Sequence, residues 1–199
     1  MYYDALKNDH GLPHDPVNAI VAPRPIGWIS SLSKSGTRNL APYSYFNLIA
    51  SRPALVVYGS SGMKDSKRNI EATGEFVCNI VNWDLREAMN RSSATVPHEV
   101  DEFDLAGLEA APSRWVKPPR VKRAPAALEC RYVKTVALPS ADPEVPHFFS
   151  LIIGQVVGVY IDDDFILGGL VDVTKIRPVA RLGYFDYSVT DSIFAMPRV

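Results

Sequence analysis

Ala126-Ala127-Leu128-Glu129-Cys130-Arg131-Tyr132-Val133-Lys134-Thr135-Val136-Ala137-Leu138 and Phe148-Phe149-Ser150-Leu151-Ile152-Ile153-Gly154-Gln155-Val156-Val157-Gly158-Val159-Tyr160-Ile161 are two long runs rich in β-branched residues. They read as long strands, joined by a loop holding Pro139, Pro143 and Pro146. The second is apolar on both faces, more than one barrel wall can bury, which predicts a second subunit over its outer side. Working outward, residues 26–32 and 38–45 flank Ser35-Gly36 as a hairpin, 54–58 is a continuous apolar run typical of a strand buried on both faces, and 76–81 is another strand. A short helix runs from a cap at Asp65 or Ser66 to Gly74, and another covers 85–90. Six or so strands, only short helices, and glycines at Gly154 and Gly158 predict a small closed or partly open antiparallel barrel. Strand and helix units do not alternate, which argues against a doubly wound parallel sheet.

The 199 residues suit a single domain, with a polar N-terminal arm (1–19) and an excursion (96–125) that turns from acidic (Glu99, Asp101, Glu102, Asp104) to basic and proline-rich (Lys117, Arg120, Lys122, Arg123). The formal net charge of -1 gives no global field to recruit nucleic acid or an anionic membrane, so any anion must be caught locally. Cys78 and Cys130 stand singly in apolar strands and no secretory grammar opens the chain, so we expect free buried thiols in a cytoplasmic protein. No apolar run approaches the roughly 20 residues of a spanning helix.

The chemistry concentrates in two stretches. Ser60-Ser61-Gly62-Met63-Lys64-Asp65-Ser66-Lys67-Arg68-Asn69 supplies hydroxyls, a flexible glycine, cations and the free N–H groups of a helix start, which together suit a phosphate monoester. The same residues also describe an ordinary capped helix with solvated lysines. Asn39-Leu40-Ala41-Pro42-Tyr43-Ser44-Tyr45-Phe46-Asn47 offers small, flat residues and the amide of Asn47, and Pro42 marks a bulge or an edge where backbone groups are freed for a ligand. Its other reading is a set of core aromatics ending in a turn. A flat ring with a phosphate tail is flavin mononucleotide (FMN) before any other common ligand.

With Arg24-Pro25-Ile26-Gly27-Trp28-Ile29-Ser30 upstream, Gly74-Glu75-Phe76-Val77 between, and His147, Gly154-Gln155-Val156 and Arg181-Leu182-Gly183-Tyr184 downstream, the chain resembles the flavin reductase-like family of FMN-binding split-barrel proteins. The resemblance covers nearly the whole chain in order. It implies a mainly β fold, a six-stranded antiparallel split β-barrel (Greek-key) with a few short helices, a homodimer, and FMN held near the dimer interface. By the family pattern Ser30, Ser44 and Asn47 contact the ring or ribityl chain beside Ala41 and Pro42. Ser60, Ser61, Lys64 and Ser66 cradle the phosphate, with Asp65 and Arg68 of the same motif. Arg24 and Trp28 lie beside the isoalloxazine, and His147 matches the histidine placed near flavin and nicotinamide; a buried, backbone-bonded histidine is the other reading.

The implied activity is an NAD(P)H:flavin oxidoreductase, with NADH or NADPH as co-substrate and a monooxygenase or other acceptor downstream. The alternative is a flavoredoxin-like electron carrier or flavin donor without its own NAD(P)H oxidation. A nucleic-acid module built on Lys117 to Arg123 is disfavoured by the prolines and the acidic residues upstream, and a serine hydrolase by the missing Gly-x-Ser-x-Gly elbow. No pair among His10, His14 and His98, which read as surface residues, has metal-ligand spacing.

Overall fold

A computed structural model describes residues 1–140, 144 and 148–197. Pro143, Pro146 and His147 lie outside the described residues.

The chain first forms α1 (Val17–Ile20), β1 (Arg24–Pro25), β2 (Gly27–Leu32), β3 (Arg38–Tyr43), β4 (Phe46–Ser51), β5 (Ala54–Ser61), α2 (Asp65–Thr73) and β6 (Glu75–Asn79). Then come α3 (Arg86–Arg91), α4 (Glu102–Ala106), β7 (Ala110–Ala111), β8 (Arg120–Val121), β9 (Ala126–Ala137) and β10 (Phe149–Ile161). The last part holds β11 (Ile166–Leu167), β12 (Leu170–Val171), α5 (Val173–Ile176), β13 (Val179–Arg181) and β14 (Tyr187–Val189).

Seven strands, one more than the six expected, pair in the order β3-β2-β6-β9-β10-β5-β4. Every pairing between them is antiparallel. The two edge strands, β3 and β4, follow one another through Ser44-Tyr45, so the sheet curls into a barrel that is split there rather than hydrogen-bonded shut. Pro42 sits on the edge strand β3 and pairs in register with Trp28, so it marks an edge and not a bulge. The irregularities fall instead at Val133 of β9, Val157 of β10 and Ile49 of β4, each left without a cross-strand partner in the register. β5 alternates buried with half-buried residues, so the apolar run there is covered fully on one face only. The helix after it begins one residue past Lys64, with no side chain capping it, and ends at Gly74, whose φ of 79° an L side chain resists.

Two hydrophobic cores share the β2-β3 wall. Ile29, Tyr43, Tyr58, Phe76 and Ile152 pack inside the barrel. Trp28 and Leu40, pointing the other way by strand alternation, pack with Leu85, Met89, Phe103 and Val121. The stretch read as an excursion therefore covers the second face of β2 and β3. It is bolted down by carboxylates of the sheet: Glu129 accepts from Arg114 N (3.0 Å) and Trp115 N (2.6 Å), and Glu75 from Lys117 N (2.9 Å). A Cβ at Gly158 would overlap the Trp115 ring, so only glycine lets the excursion lie this close to β10.

Cys78 and Cys130 are free and buried, as expected. Burial pushes the Cys78 thiol well above its ordinary value, and the neighbouring Cys130 acts in the same direction. Among the described residues no helix is long and apolar enough to cross a membrane.

Candidate functional site

The split edge of the barrel carries two adjoining cavities. One, of about 500 Å³, is walled by β3 (Asn39 to Tyr43), by the residues entering α2 (Met63 to Ser66, with Arg68) and by the segment from Ser92 to Val96 with His98. The other, of about 630 Å³, is walled by Arg24, Ser44, Tyr45, Arg181, Tyr184 and Phe185 among others. Pro42 and Ser93 line both, so the cavities meet along the segment singled out in the sequence. Each volume lies within the range of small-molecule sites.

The first cavity gathers donors beside two carboxylates, Asp65 and Glu102, that are already bonded within the fold. The first-turn N–H groups of α2 have no intrahelical partner and no side-chain cap, and the helix dipole directs partial positive charge toward them. Lys64 Nζ lies 5.8 Å from the Tyr43 ring centroid, and Arg68 donates to Asp65 at 2.8 Å. Below them, Tyr43 Oη and Ser60 Oγ are buried without a hydrogen bond among the described residues. Burial pushes the Tyr43 phenol above its ordinary value, and the nearby Ser66 and Ser60 hydroxyls act the other way without completing a bond to it. Ser66 donates to Asn39 Oδ1 at 2.8 Å, inside a buried network that reaches Ser31 and Asn69. This donor set fits a phosphate monoester.

The second cavity suits a flat ring. Arg181 donates to Tyr187 Oη at 2.5 Å and to the Tyr184 carbonyl, and its guanidinium lies 4.6 Å from the Tyr187 ring centroid. Arg24 clamps the N-terminal arm, donating to Asn18 O and Val21 O at 2.6 Å and to Leu182 O at 2.8 Å. The arm thus contributes Asp15 and Asn18 to the wall.

Of the residues singled out in the sequence, Arg24, Ala41, Pro42, Ser44, Lys64, Asp65, Ser66 and Arg68 line these two cavities. Trp28 and Ser30 do not reach them: both are fully buried, Trp28 donating to Ser92 Oγ (2.9 Å) and Ser30 to Pro119 O (2.5 Å), so both fasten the covering segments. Asn47 lines a separate hollow with Ser44 and Arg24, its Oδ1 accepting from Leu48 N. Ser60 is buried beneath the floor, and Ser61 pairs with Phe149 at the end of β5. His147 lies outside the described residues.

Sequence reasoning missed Ser93, Thr95, His98 and Glu102 on one side and Tyr184 and Phe185 on the other. Only the Arg181-Leu182-Gly183-Tyr184 motif hinted at any of them. His98 is half-buried, with Nδ1 2.8 Å from Asp65 Oδ1, rather than a surface residue. Within the basic run, Arg120 stacks 3.5 Å from the Tyr160 ring centroid and Lys122 bonds Glu109 at 2.6 Å on the surface. Among the described residues no cluster of His, Cys, Asp or Glu could hold a metal.

Glu102 joins this wall to β3, accepting from Leu40 N (3.0 Å) and Asn39 Nδ2 (3.1 Å). Burial raises its pKa above the ordinary 4.5, while those two bonds pull downward. A raised folded pKa means the stabilising proton is fully held below about pH 4.5 and lost as pH rises through the folded value. Glu102→Gln escapes that loss, so its melting temperature relative to the parent should climb with pH across the mildly acid range. A constant offset from about pH 4 to about pH 8 would contradict this.

The model of the flavin reductase like domain matches residues 21–179. An uncharacterized protein of Aquifex aeolicus is 37% identical over 173 residues, spanning 84% of each chain. Nitrilotriacetate monooxygenase component B from Bacillus cereus superposes with a TM-score of 0.90 at 27% identity, covering 98% of both chains. The 2-nitrobenzoate 2-nitroreductase of Pseudomonas fluorescens gives 0.81 at 29% identity, covering 92% of this chain and 88% of its own.

Proposed function

The chain belongs to the flavin reductase-like domain family, and from that premise we propose that it is an FMN-dependent NAD(P)H:flavin oxidoreductase supplying electrons to an oxygenase or another acceptor. The observation carrying this reading is the pair of cavities that meet at Pro42 and Ser93, one with Lys64, Arg68 and a helix start beside the already bonded Asp65 and Glu102, over unspent hydroxyls, the other aromatic with two arginines. FMN supplies the redox chemistry, accepting a hydride from a nicotinamide and releasing electrons singly or in pairs. The chain's own part is binding and orientation. Lys64, Arg68 and the start of α2 would hold the phosphate, while Ala41 and Pro42 would line the passage to the ring. Arg24 and Arg181 put positive charge in the wider cavity, which favours an electron-rich ring there. Tyr45, Tyr184 and Phe185 offer surfaces on which a second flat ring can stack. The likeness to a monooxygenase component supports an oxygenase as acceptor.

Anaerobic addition of NADH or NADPH to the FMN-loaded protein should bleach its visible absorbance within the mixing time of a cuvette. A protein that stays yellow with both nucleotides and bleaches only with dithionite is a carrier, and the reductase reading then falls.

A homodimer belongs to the same proposal. Leu48 and Ile49 on β4, Val133 on β9, and Phe149 and Val159 on β10 are all more than two-fifths exposed, a cost in water that a second copy would remove. Light scattering should give twice the 22.0 kDa chain mass, and a monomer at micromolar concentration would refute the pairing.

A further inference from the structure

A third cavity, of about 560 Å³, lies between α3 and the β13-β14 hairpin, beside the wider cavity and with no residue of α2 in its wall. Its frame is backbone: Trp83 N donates to Arg177 O at 3.0 Å and Val179 N to Val81 O at 2.9 Å, tying the segment that enters α3 to β13. Met89 and Val179 are its buried apolar members, while Trp83, Phe185 and Tyr187 line it with more than a third of their surface exposed. Aromatic surface left open in this way gains from a flat partner that covers it. The charged side chains in the wall are Arg86, Glu87 and Arg181, so positive charge is in excess by one. The Arg86 guanidinium lies 3.8 Å from the Trp83 ring centroid, donates from Nη1 to Trp83 O at 2.8 Å and has Nε 3.5 Å from Glu87 Oε1. Those contacts hold the fork in place and leave Nη2 without a bond among the described residues. Tyr187 Oη accepts from Arg181 and keeps its own proton to donate.

We propose that this third cavity is a binding site for a planar aromatic carboxylate, separate from the two cavities given to the flavin and independent of that reading. The ligand ring would lie among Trp83, Phe185 and Tyr187, and its carboxylate would meet the Arg86 fork with the Tyr187 hydroxyl as a further donor. A single positive charge in excess matches a monoanion, whereas a phosphate dianion would be left partly uncompensated. Beyond the charged and aromatic groups, Asn90 and Ser188 are the polar side chains in the wall, which offers little to a ribose. Met89, Asn90, Arg181, Phe185 and Tyr187 also line the wider cavity, so a bound acid would lie against whatever occupies that one.

Calorimetric titration of the full chain with 2-naphthoate, 2-naphthamide and cyclohexanecarboxylate separates charge from flatness. The aromatic acid should bind more tightly than either of the others by about tenfold or more. Arg86→Gln should weaken the acid about tenfold and leave the amide unaltered, a split that a loosened fold would not produce. Protein saturated with FMN should still take the acid. Equal affinities for acid and amide, full affinity for the acid in Arg86→Gln, displacement of the acid by FMN, or no binding of the acid at millimolar concentration would each overturn the proposal. So would adenosine 2′-phosphate binding more tightly than the acid, which would give the cavity to the end of a nucleotide. Failure of FMN to bind would sink the flavin reading and leave this one standing. Where Arg86→Gln fails to fold, the comparison of acid with amide in the parent protein decides.

Discussion

Replacing Lys64 and Arg68 together by alanine is expected to weaken FMN binding by about 100-fold or more while leaving riboflavin binding unchanged. Both cations line the narrower cavity, and a hydrogen bond to a charged group contributes about 1.5–3 kcal/mol. Arg68 is half exposed and already shared with Asp65, so the lower end of that range applies; two such losses give about 3 kcal/mol, or roughly two decades of affinity. Riboflavin lacks the phosphate and so reports on the ring cavity alone. The double variant should melt within a few degrees of the parent, because the ion pair it breaks among the described residues is Arg68–Asp65, half exposed on the arginine side. Ser66 would be a poor choice for this experiment. Its hydroxyl donates to the buried Asn39, and its removal would confuse lost stability with lost binding. Equal loss for both flavins would place the phosphate elsewhere.

Glu129→Ala should lower the melting temperature by about 10 °C. The carboxylate is almost wholly buried on β9 and holds the backbone N–H groups of Arg114 and Trp115. Losing two charge-assisted bonds costs about 3–5 kcal/mol, partly offset because a buried charge is also removed. For a chain of this size each kcal/mol moves the midpoint by about 2–4 °C. Glu129→Gln keeps one acceptor and should fall between the two. Trp115, seated over Gly158, provides a fluorescence signal for release of the segment. An unchanged midpoint would mean that the excursion is held by its apolar contacts alone.

The contrast between these two sites explains what could be read from residues. Lys64, Asp65, Ser66 and Arg68 are contiguous and sit at a helix start, so local sequence carries both their chemistry and their geometry. Pro42 was legible in part: a residue without an N–H belongs at an edge or a bulge, and the pairing with Trp28 decided for the edge. Glu129 was illegible: within a strand it looks like any solvent-facing carboxylate until the excursion's backbone is laid against it. Ser30 and Trp28 were placed at the ligand by the family pattern, and only the fold shows their buried hydroxyl and indole spent on Pro119 O and Ser92 Oγ. Residues 92–98 belong to that group, their place in the cavity wall depending on contacts with β2 and α2 made across a long separation in sequence.

By itself, the sequence determined six of the barrel's seven strands, missing β4, and the two stretches that line its split edge, because alternation, turn chemistry and helix starts are short-range properties of the chain. Tertiary structure alone decided that residues 96–125 cover a second core instead of standing apart, that residues 92–98 line one cavity opposite α2, and that Arg24 and Arg181 meet at the other. Those placements follow from which buried polar groups find partners and which strand faces need covering, and both conditions are set only once distant segments have packed together.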